Sequence, residues 1–190
     1  ELVKKLAQHY ADNPHIVVWH VNNEYGGNCY CGNCQNAFRD WLRNKYKTLG
    51  ALNKAWNMNV WSHTIYDWDE IVVPNELGDA WGPESSEAIV AGLSIDYLRF
   101  QSESLQNLFK MEKAVIKKYD PETPVTTNFH SLPNKMIDYQ KWAKDQDIIS
   151  YDSYPTYDAP AYKPAFLYHL MRSLNPVSYT HLTLPTICSV

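Results

Sequence analysis

Apolar side chains recur along the chain with two different periods, and these predict alternating helices and strands. Residues 1–10 place them at three- and four-residue steps, as an amphipathic helix does. A run of apolar and β-branched residues follows at 16–21, which is typical of a strand buried on both faces. Similar runs at 124–130 and 147–155 predict two further strands. Strands that alternate with helices indicate parallel strands joined by crossovers, and hence an α/β fold.

The helical patterns between these strands differ in length. A long pattern at 85–118 contains Gly92, where we expect a kink or a break. The stretch 57–83 shows no period and predicts a long loop, and its tryptophan content argues against disorder. Shorter helices are predicted at 35–46, 49–56, 136–144 and 165–174.

Polar side chains mark the end of each predicted strand. Asn23 and Glu24 come directly after the first strand. Asn128 lies near the end of the second strand, and Asp152 and Tyr154 lie at the end of the third. A closed barrel collects such ends on one rim, where (β/α)8 enzymes carry their active sites, so we favour a barrel over a doubly wound open sheet. The sequence has no glycine-rich phosphate loop after these strands, which disfavours the nucleotide-binding version of the open sheet.

The amino-acid composition disfavours some classes of binding partner and favours others. The formal net charge is -4 and the basic residues are scattered, so the chain lacks the basic stripe that nucleic acid binding requires. Aromatic residues make up 14% of the chain, and many lie in predicted loops, where they suit stacking on the apolar face of a sugar as well as core packing. The sequence contains no apolar run of membrane-spanning length, and we expect no membrane partner. Because its first ten residues already read as the middle of a helix, we expect the chain to be part of a larger protein.

Glu24 is the strongest catalytic candidate. Retaining glycoside hydrolysis uses two carboxyl groups about 5 to 5.5 Å apart, one as general acid and one as nucleophile. A strand end places Glu24 in a partly desolvated cleft, which should raise its pKa toward that of a general acid, and Asn23 beside it can bind a sugar hydroxyl. The alternative is that Glu24 is a cap or a salt-bridge partner. His130 and Asp152 form a weaker candidate pair of acid and base.

Three cysteines, Cys29, Cys31 and Cys34, are clustered in the loop that follows the first strand. Three thiolates at this spacing suit a tetrahedral zinc ion of structural type, and buried free thiols are the alternative. A metal site of this kind favours a reducing compartment.

These motifs resemble those of the glycoside hydrolase family 42 β-galactosidases. The resemblance extends from residue 1 to about residue 176. It rests on Trp19-His20-Val21-Asn22-Asn23-Glu24-Tyr25-Gly26, on Cys29-Tyr30-Cys31-Gly32-Asn33-Cys34, on Ala51-Leu52-Asn53-Lys54-Ala55-Trp56 with Trp61-Ser62, on Asp96-Tyr97-Leu98-Arg99-Phe100-Gln101, on Thr126-Thr127-Asn128-Phe129 and on Tyr151-Asp152-Ser153-Tyr154-Pro155.

The resemblance implies a partial (β/α)8 TIM barrel, roughly strands 4 to 6 with their helices, within a retaining enzyme that releases terminal β-D-galactose. It implies that Glu24 is the acid/base. It further implies substrate-binding roles for Asn23, Trp61, Asn128 and Tyr154. The nucleophile of such enzymes is a glutamate on the seventh strand, which we expect this chain to lack, so the chain alone should be inactive.

The resemblance also implies a cofactor, partners and a location. Zinc would be held by Cys29, Cys31 and Cys34 together with a fourth cysteine upstream of this chain. The substrates would be β-galactosides or galacto-oligosaccharides, and the parent enzyme would be a homotrimer in the bacterial cytoplasm.

Residues 177–190 depart from the pattern of the rest, because they are rich in Thr and Ser where a buried strand is due. We expect them to be a non-native tail of the kind that adapter read-through adds, with an ordinary strand at 180–184 as the alternative. The domain prediction is therefore a barrel segment over 1–176. Two other functions stay open: another barrel glycosidase, such as a β-glucosidase or an arabinosidase, and a non-catalytic, zinc-stabilised carbohydrate-binding module.

Overall fold

The computed structural model describes residues 1–74, 90–130 and 136–174, and of Trp61 it describes the backbone only. The predicted tail at 177–190 and the start of the helix predicted at 85–118 lie outside the described residues. The chain divides into two compact units, which we call the first unit (1–26 with 104–190) and the second unit (27–103).

Helices and strands alternate along the described chain, as the sequence predicts. Helix α4 contributes its first part to the second unit and its remainder to the first. The elements are α1 Leu2–Tyr10, β1 Trp19–His20, α2 Gly32–Tyr46, α3 Leu49–Trp56, 3-10 turns at Val60–Ser62 and Trp68–Glu70, α4 Ala91–Tyr119, β2 Val125–Thr126, β3 Asn128–Phe129, α5 Tyr139–Ala143, β4 Ser150–Tyr151 and α6 Tyr162–Leu174.

Parallel pairing joins the strands of the first unit. β1 pairs with β2, and β3 pairs with β4, so the predicted parallel α/β arrangement is confirmed. Because only Thr127 separates β2 from β3, one extended run carries both pairings. The second ladder opposes Asn128 to Ser150, and it continues to Asp152, whose N–H donates to the Phe129 carbonyl at 3.0 Å. This register brings the polar ends of two strands to the same edge.

The regular strands are shorter than the sequence predicts, because side-chain hydroxyls take over part of the backbone pairing. Thr126 Oγ1 donates to the Ile148 carbonyl at 2.6 Å. Ser150 Oγ donates to the Thr127 carbonyl at 3.0 Å. These bonds still satisfy buried carbonyls, which would otherwise be costly to bury.

The predicted burial of residues 16–21 on both faces is wrong at the start of that run. Val17 is 77% exposed, whereas Val21 is 5% exposed. The strand itself begins only at Trp19, and His20 within it is exposed although it pairs with Thr126, so one face of this run is open in the described residues.

Each unit has its own apolar core. In the first unit, Trp142, Phe109 and Phe129 are almost fully buried between the helices and the strands. In the second unit, Phe38 and Tyr97 pack edge to face at 4.9 Å between the ring centroids. No helix in the described residues is both long and apolar enough to cross a bilayer.

Gly92 serves packing and does not interrupt helix α4. The helix continues from Ala91 to Tyr119 as one element. A Cβ added at Gly92 would lie 2.5 Å from Cδ1 of Trp56, which is too close for any real side chain. The glycine therefore permits helices α3 and α4 to pack closely. The expected kink or break at Gly92 stays a prediction, because residues 85–89 of the predicted helix lie outside the described residues.

Candidate active site and metal centre

Glu24 follows strand β1 in a backbone conformation that is uncommon for residues with a side chain. Its φ is 48°, and that of Asn22 is 57°, so both lie in the left-handed region. The Asn22 side chain stabilises this turn by accepting the N–H of Asn23 at 2.8 Å. Backbone strain of this kind is common where a side chain must be aimed for function.

Asn128 connects this turn to the neighbouring strand end. Its Oδ1 accepts the Glu24 N–H at 3.0 Å, and its Nδ2 donates to both carboxylate oxygens of Asp152 at 2.9 Å. The same nitrogen lies 3.2 Å from Oδ1 of Asn23. The sequence-predicted residues Asn23, Glu24 and Asn128 therefore come together around Asp152.

Two charged neighbours act on Glu24 in opposite directions. The hydrogen bond with the Asp152 carboxyl raises the pKa of Glu24, and partial burial raises it further. The positive charge of His130 opposes this rise, and the negative charge of Asp152 adds to it. The net shift is upward, which is the direction that a general acid needs near neutral pH.

Tyr25 anchors the turn from the opposite side of Glu24. Its ring is 4% exposed and packs against Trp142 at 5.2 Å between centroids. Its hydroxyl donates to a Glu112 carboxylate oxygen. Burial and this carboxylate together raise the pKa of Tyr25, so the phenol stays protonated and the bond persists at ordinary pH.

Tyr154 lies in an open pocket that begins at Asp152. The pocket has a volume of about 220 Å³, and Tyr154 itself is 66% exposed. Lys163 supplies a positive charge at its wall. The remaining lining residues are Ser153, Pro155, Thr156, Ala159, Pro164 and Leu167.

Three thiols converge in the second unit. Cys29 and Cys31 are exposed and Cys34 is half-buried at the start of helix α2, and none of them forms a disulfide. The Sγ atoms of Cys29 and Cys31 are 3.5 Å apart, and all three Sγ atoms lie within 4.8 Å of one another. The backbone N–H of Cys34 is the main cause that lowers the pKa of Cys31 to about 7.

This donor set fits a zinc ion. A tetrahedral site with Zn–S bonds of about 2.3 Å needs sulfur atoms about 3.8 Å apart, close to the separations found here. Zinc binds thiolates, and the pKa of Cys31 is already lowered, whereas burial and the two neighbouring thiols raise the pKa of Cys34 to about 12. Cys29, Cys31 and Cys34 form the one such group among the residues that the structure describes.

The backbone of Cys29 is held by two buried side chains of helix α4. The Tyr97 hydroxyl donates to the Cys29 carbonyl at 2.5 Å. Gln101 Oε1 accepts the Cys29 N–H at 3.2 Å, and its Nε2 lies 3.4 Å from the same carbonyl. Tyr97 is 2% exposed and Gln101 5%, and the ring of Tyr30 stacks on Tyr97.

Sequence reasoning did not single out Tyr97, Gln101 or Tyr25 as site residues. Tyr97 and Gln101 are spaced four apart in a helix and lie in one of the segments that carry the family resemblance, but neither observation gave them a role. The Trp61 side chain lies outside the described residues, so its predicted role stays a prediction.

Comparison with known proteins identifies the family. A profile named Glyco_hydro_42, described as beta-galactosidase, matches residues 1–183. The chain belongs to glycoside hydrolase family 42. This family 42 chain is 86% identical over 175 residues to beta-galactosidase LacZ of Lactobacillus acidophilus, a match that covers 92% of this chain and 26% of LacZ. It is 49% identical over 175 residues to beta-galactosidase BgaP of Planococcus sp. strain L4, with coverages of 92% and 25%.

Solved structures show the same family 42 fold over this segment. The crystal structure of beta-galactosidase from Bacillus circulans sp. alkalophilus matches with a TM-score of 0.84 and 52% identity, over 91% of this chain and 25% of that one. The structure from Rahnella sp. R3 matches with a TM-score of 0.85 and 38% identity, over 96% and 26%. The chain thus spans about a quarter of the length of the relatives it matches.

Proposed function

We propose that this chain forms strands 4 to 6, with their helices, of the (β/α)8 barrel of a retaining β-galactosidase, and that Glu24 is its acid/base. The observation that carries the proposal is the placement of Glu24. It stands at a strand end, its backbone is held by Asn128, and its pKa is raised by Asp152. The names of the relatives support β-galactosides as the substrate class.

In the proposed reaction, Glu24 protonates the glycosidic oxygen as the leaving group departs. It then accepts a proton from the water that hydrolyses the galactosyl intermediate. Asn23, Asn128, Tyr154 and Trp61 bind the galactosyl unit. The nucleophile is a second carboxylate on a strand outside these 190 residues, so the chain alone should not turn over substrate.

Zinc bound by Cys29, Cys31 and Cys34 would have a structural role. It would fix the segment that joins Glu24 to helix α2. A fourth protein ligand would close the coordination sphere and leave no position for substrate.

A segment exchange tests the proposed function. The 175 residues of LacZ that match this chain are replaced by the corresponding residues of this chain, and hydrolysis of nitrophenyl β-galactoside and of lactose is measured. We expect an active chimera, in which Glu24→Gln lowers kcat by about 10²–10⁴-fold. The loss should be larger for lactose than for the nitrophenyl substrate, because the sugar leaving group depends more on protonation.

Other outcomes of the exchange would change the assignment. A chimera that prefers nitrophenyl glucoside or arabinoside would indicate another barrel glycosidase. Full activity of Glu24→Gln or Glu24→Ala on lactose would remove Glu24 from the mechanism. A folded chimera without any hydrolase activity would contradict the enzymatic proposal.

A further inference from the structure

The Asn128 side chain can adopt only one orientation in its present surroundings. The Glu24 N–H is a donor, so it requires the amide oxygen, and the Asp152 oxygens are acceptors, so they require the amide nitrogen. Asn128 is 4% exposed and sits in strand β3, between the ends of β1 and β4. It therefore fixes the backbone of Glu24 and the carboxylate of Asp152 relative to each other.

The Asp152 side chain is the main cause that raises the pKa of Glu24, through a hydrogen bond that needs a proton on one of the two carboxyl groups. Both Asp152 oxygens already accept hydrogens from Asn128 Nδ2. When two neighbouring carboxyl groups have different environments, their pKa values differ, so one stays protonated while the other is ionised. The contacts of Asn128 make Asp152 the carboxylate and Glu24 the acid.

We propose that Asp152 is a positioning residue for the Glu24 carboxyl, and that Asn128 fixes Glu24 and Asp152 relative to each other. This inference rests on the proposed function, because it assigns a role within the same reaction. Asp152 also lines the pocket with Tyr154 and Lys163, so this member of the pair borders space that a ligand could fill.

Other charged groups near Glu24 and Asp152 also influence the pKa of Glu24. His130 follows strand β3 and acts on Glu24 in the opposite sense to Asp152. Lys163, on helix α6, lines the same pocket as Asp152. Removal of the Asp152 carboxylate takes away both the hydrogen bond and the like charge that raise the pKa of Glu24, so loss of the Glu24 proton becomes easier.

The test is the pH dependence of kcat/KM for the LacZ chimera that carries this segment. The alkaline limb reports the group that must be protonated in the free enzyme. In Asp152→Asn we expect this limb to move to lower pH by about one unit, since an opposite or like charge at this range shifts a pKa by about 1–3 units. The matched control is Asp158→Asn, the same change at an exposed position of the same loop, which should leave the limb in place.

A second measurement follows Glu24 without catalysis. In the 190-residue chain labelled with ¹³C at glutamate carboxyls, the Glu24 resonance is assigned by its loss in Glu24→Gln and then titrated. Asp152→Asn, or Asp152→Ser if the first variant fails to fold, should lower the midpoint of that titration.

The two measurements separate the proposals. An inactive wild-type chimera contradicts the proposed function, while the carboxyl titration still decides the role of Asp152. An active chimera whose alkaline limb and Glu24 midpoint are the same in wild type and Asp152→Asn overturns the positioning role and leaves the acid/base assignment of Glu24 intact.

Discussion

Tyr97 acts on a metal ligand through the backbone of that ligand. Its hydroxyl bonds to the Cys29 carbonyl, so Tyr97→Phe removes one support of the cysteine cluster without touching a thiol. Groups that orient metal ligands typically contribute about 10–100-fold to metal affinity. We expect a loss of this size in zinc affinity of the reduced 190-residue chain, measured by competition with a chromogenic chelator.

Tyr46→Phe is the control for this prediction. It removes a hydroxyl that bonds to Asp96 at 2.6 Å in the same unit, so the chemical change is identical and only the position differs. Equal zinc affinities in the two variants would contradict a specific role of Tyr97. Wild-type protein that fails to bind zinc would instead contradict the metal site itself.

Single residues show where sequence reasoning stops. Glu24 and the cysteines could be predicted because strand ends and short spacings are visible in the sequence. Asp152 was predicted as a polar strand end and as a weak partner of His130, but its contact with Asn128 could not be predicted, since it depends on the register of two strands. Gln101 could not be predicted, because a buried amide finds its partner only in the folded state.

The contact between helices α3 and α4 depends on the absence of a side chain at Gly92. In Gly92→Ala the new Cβ would meet the Trp56 ring at 2.5 Å, and the ring is held by a hydrogen bond to Asp96 at 3.0 Å. Overpacking of this kind costs about 1–3 kcal/mol. We expect this decrease in the free energy of unfolding, measured by urea titration with tryptophan fluorescence.

Gly50→Ala is the matched control for the helix contact. A Cβ at Gly50, in helix α3, meets nothing within 4 Å. Its higher helix propensity should stabilise the protein by up to about 1 kcal/mol. If Gly92→Ala were as stable as Gly50→Ala, the helices would have to separate without cost, and close packing would not explain the glycine.

Asp96 joins helices α2, α3 and α4 of the second unit. Its carboxylate, 2% exposed, accepts hydrogen bonds from Lys45, Tyr46 and Trp56, and Arg99 donates to it at 3.0 Å. Burial alone would raise the pKa of Asp96, but these donors outweigh it and lower the pKa below the usual 3.8.

The sign of this shift predicts acid sensitivity. A carboxylate with a lowered folded-state pKa stabilises the protein above its usual pKa, and this contribution is lost as the pH falls through the folded-state value. Asp96→Asn should therefore lower the free energy of unfolding at neutral pH by about 1.5–3 kcal/mol. The difference from wild type should shrink in urea titrations below pH 3.8, and a constant difference across pH would contradict the prediction.

Helices were predicted more accurately than strands, for a physical reason. Helix α3 was predicted over the residues that it occupies, because helical periodicity is local. Strand lengths were overestimated, because a strand is defined by its partner. Of the strand predicted at 147–155, only Ser150–Tyr151 is regular strand, and the Ser150 hydroxyl donates to the Thr127 carbonyl.

At the scale of the whole molecule, the parallel α/β order that the sequence predicted is confirmed, and the single barrel segment over 1–176 stays a prediction. The structure divides the described chain into two units. The sequence did not predict a separate second unit. Its helices were interpreted as part of the alternation of strands and helices, and residues 57–83 were interpreted as a long loop. A core of its own, with Phe38 and Leu42 fully buried, becomes evident only from packing.

Zinc binding should therefore stabilise the second unit more than the first. A ligand present at a hundredfold excess over its Kd stabilises the state that binds it by about 2.7 kcal/mol. Because all three thiols belong to the second unit, hydrogen exchange of the reduced chain should slow with zinc in helix α2 and in the part of α4 that carries Tyr97. Strands β2 to β4 and helix α5 belong to the first unit and should show little change.

Magnesium, which prefers oxygen ligands, is the control for this prediction. Slowing of equal size in both units would mean that the metal acts on global stability and not on the cysteine segment.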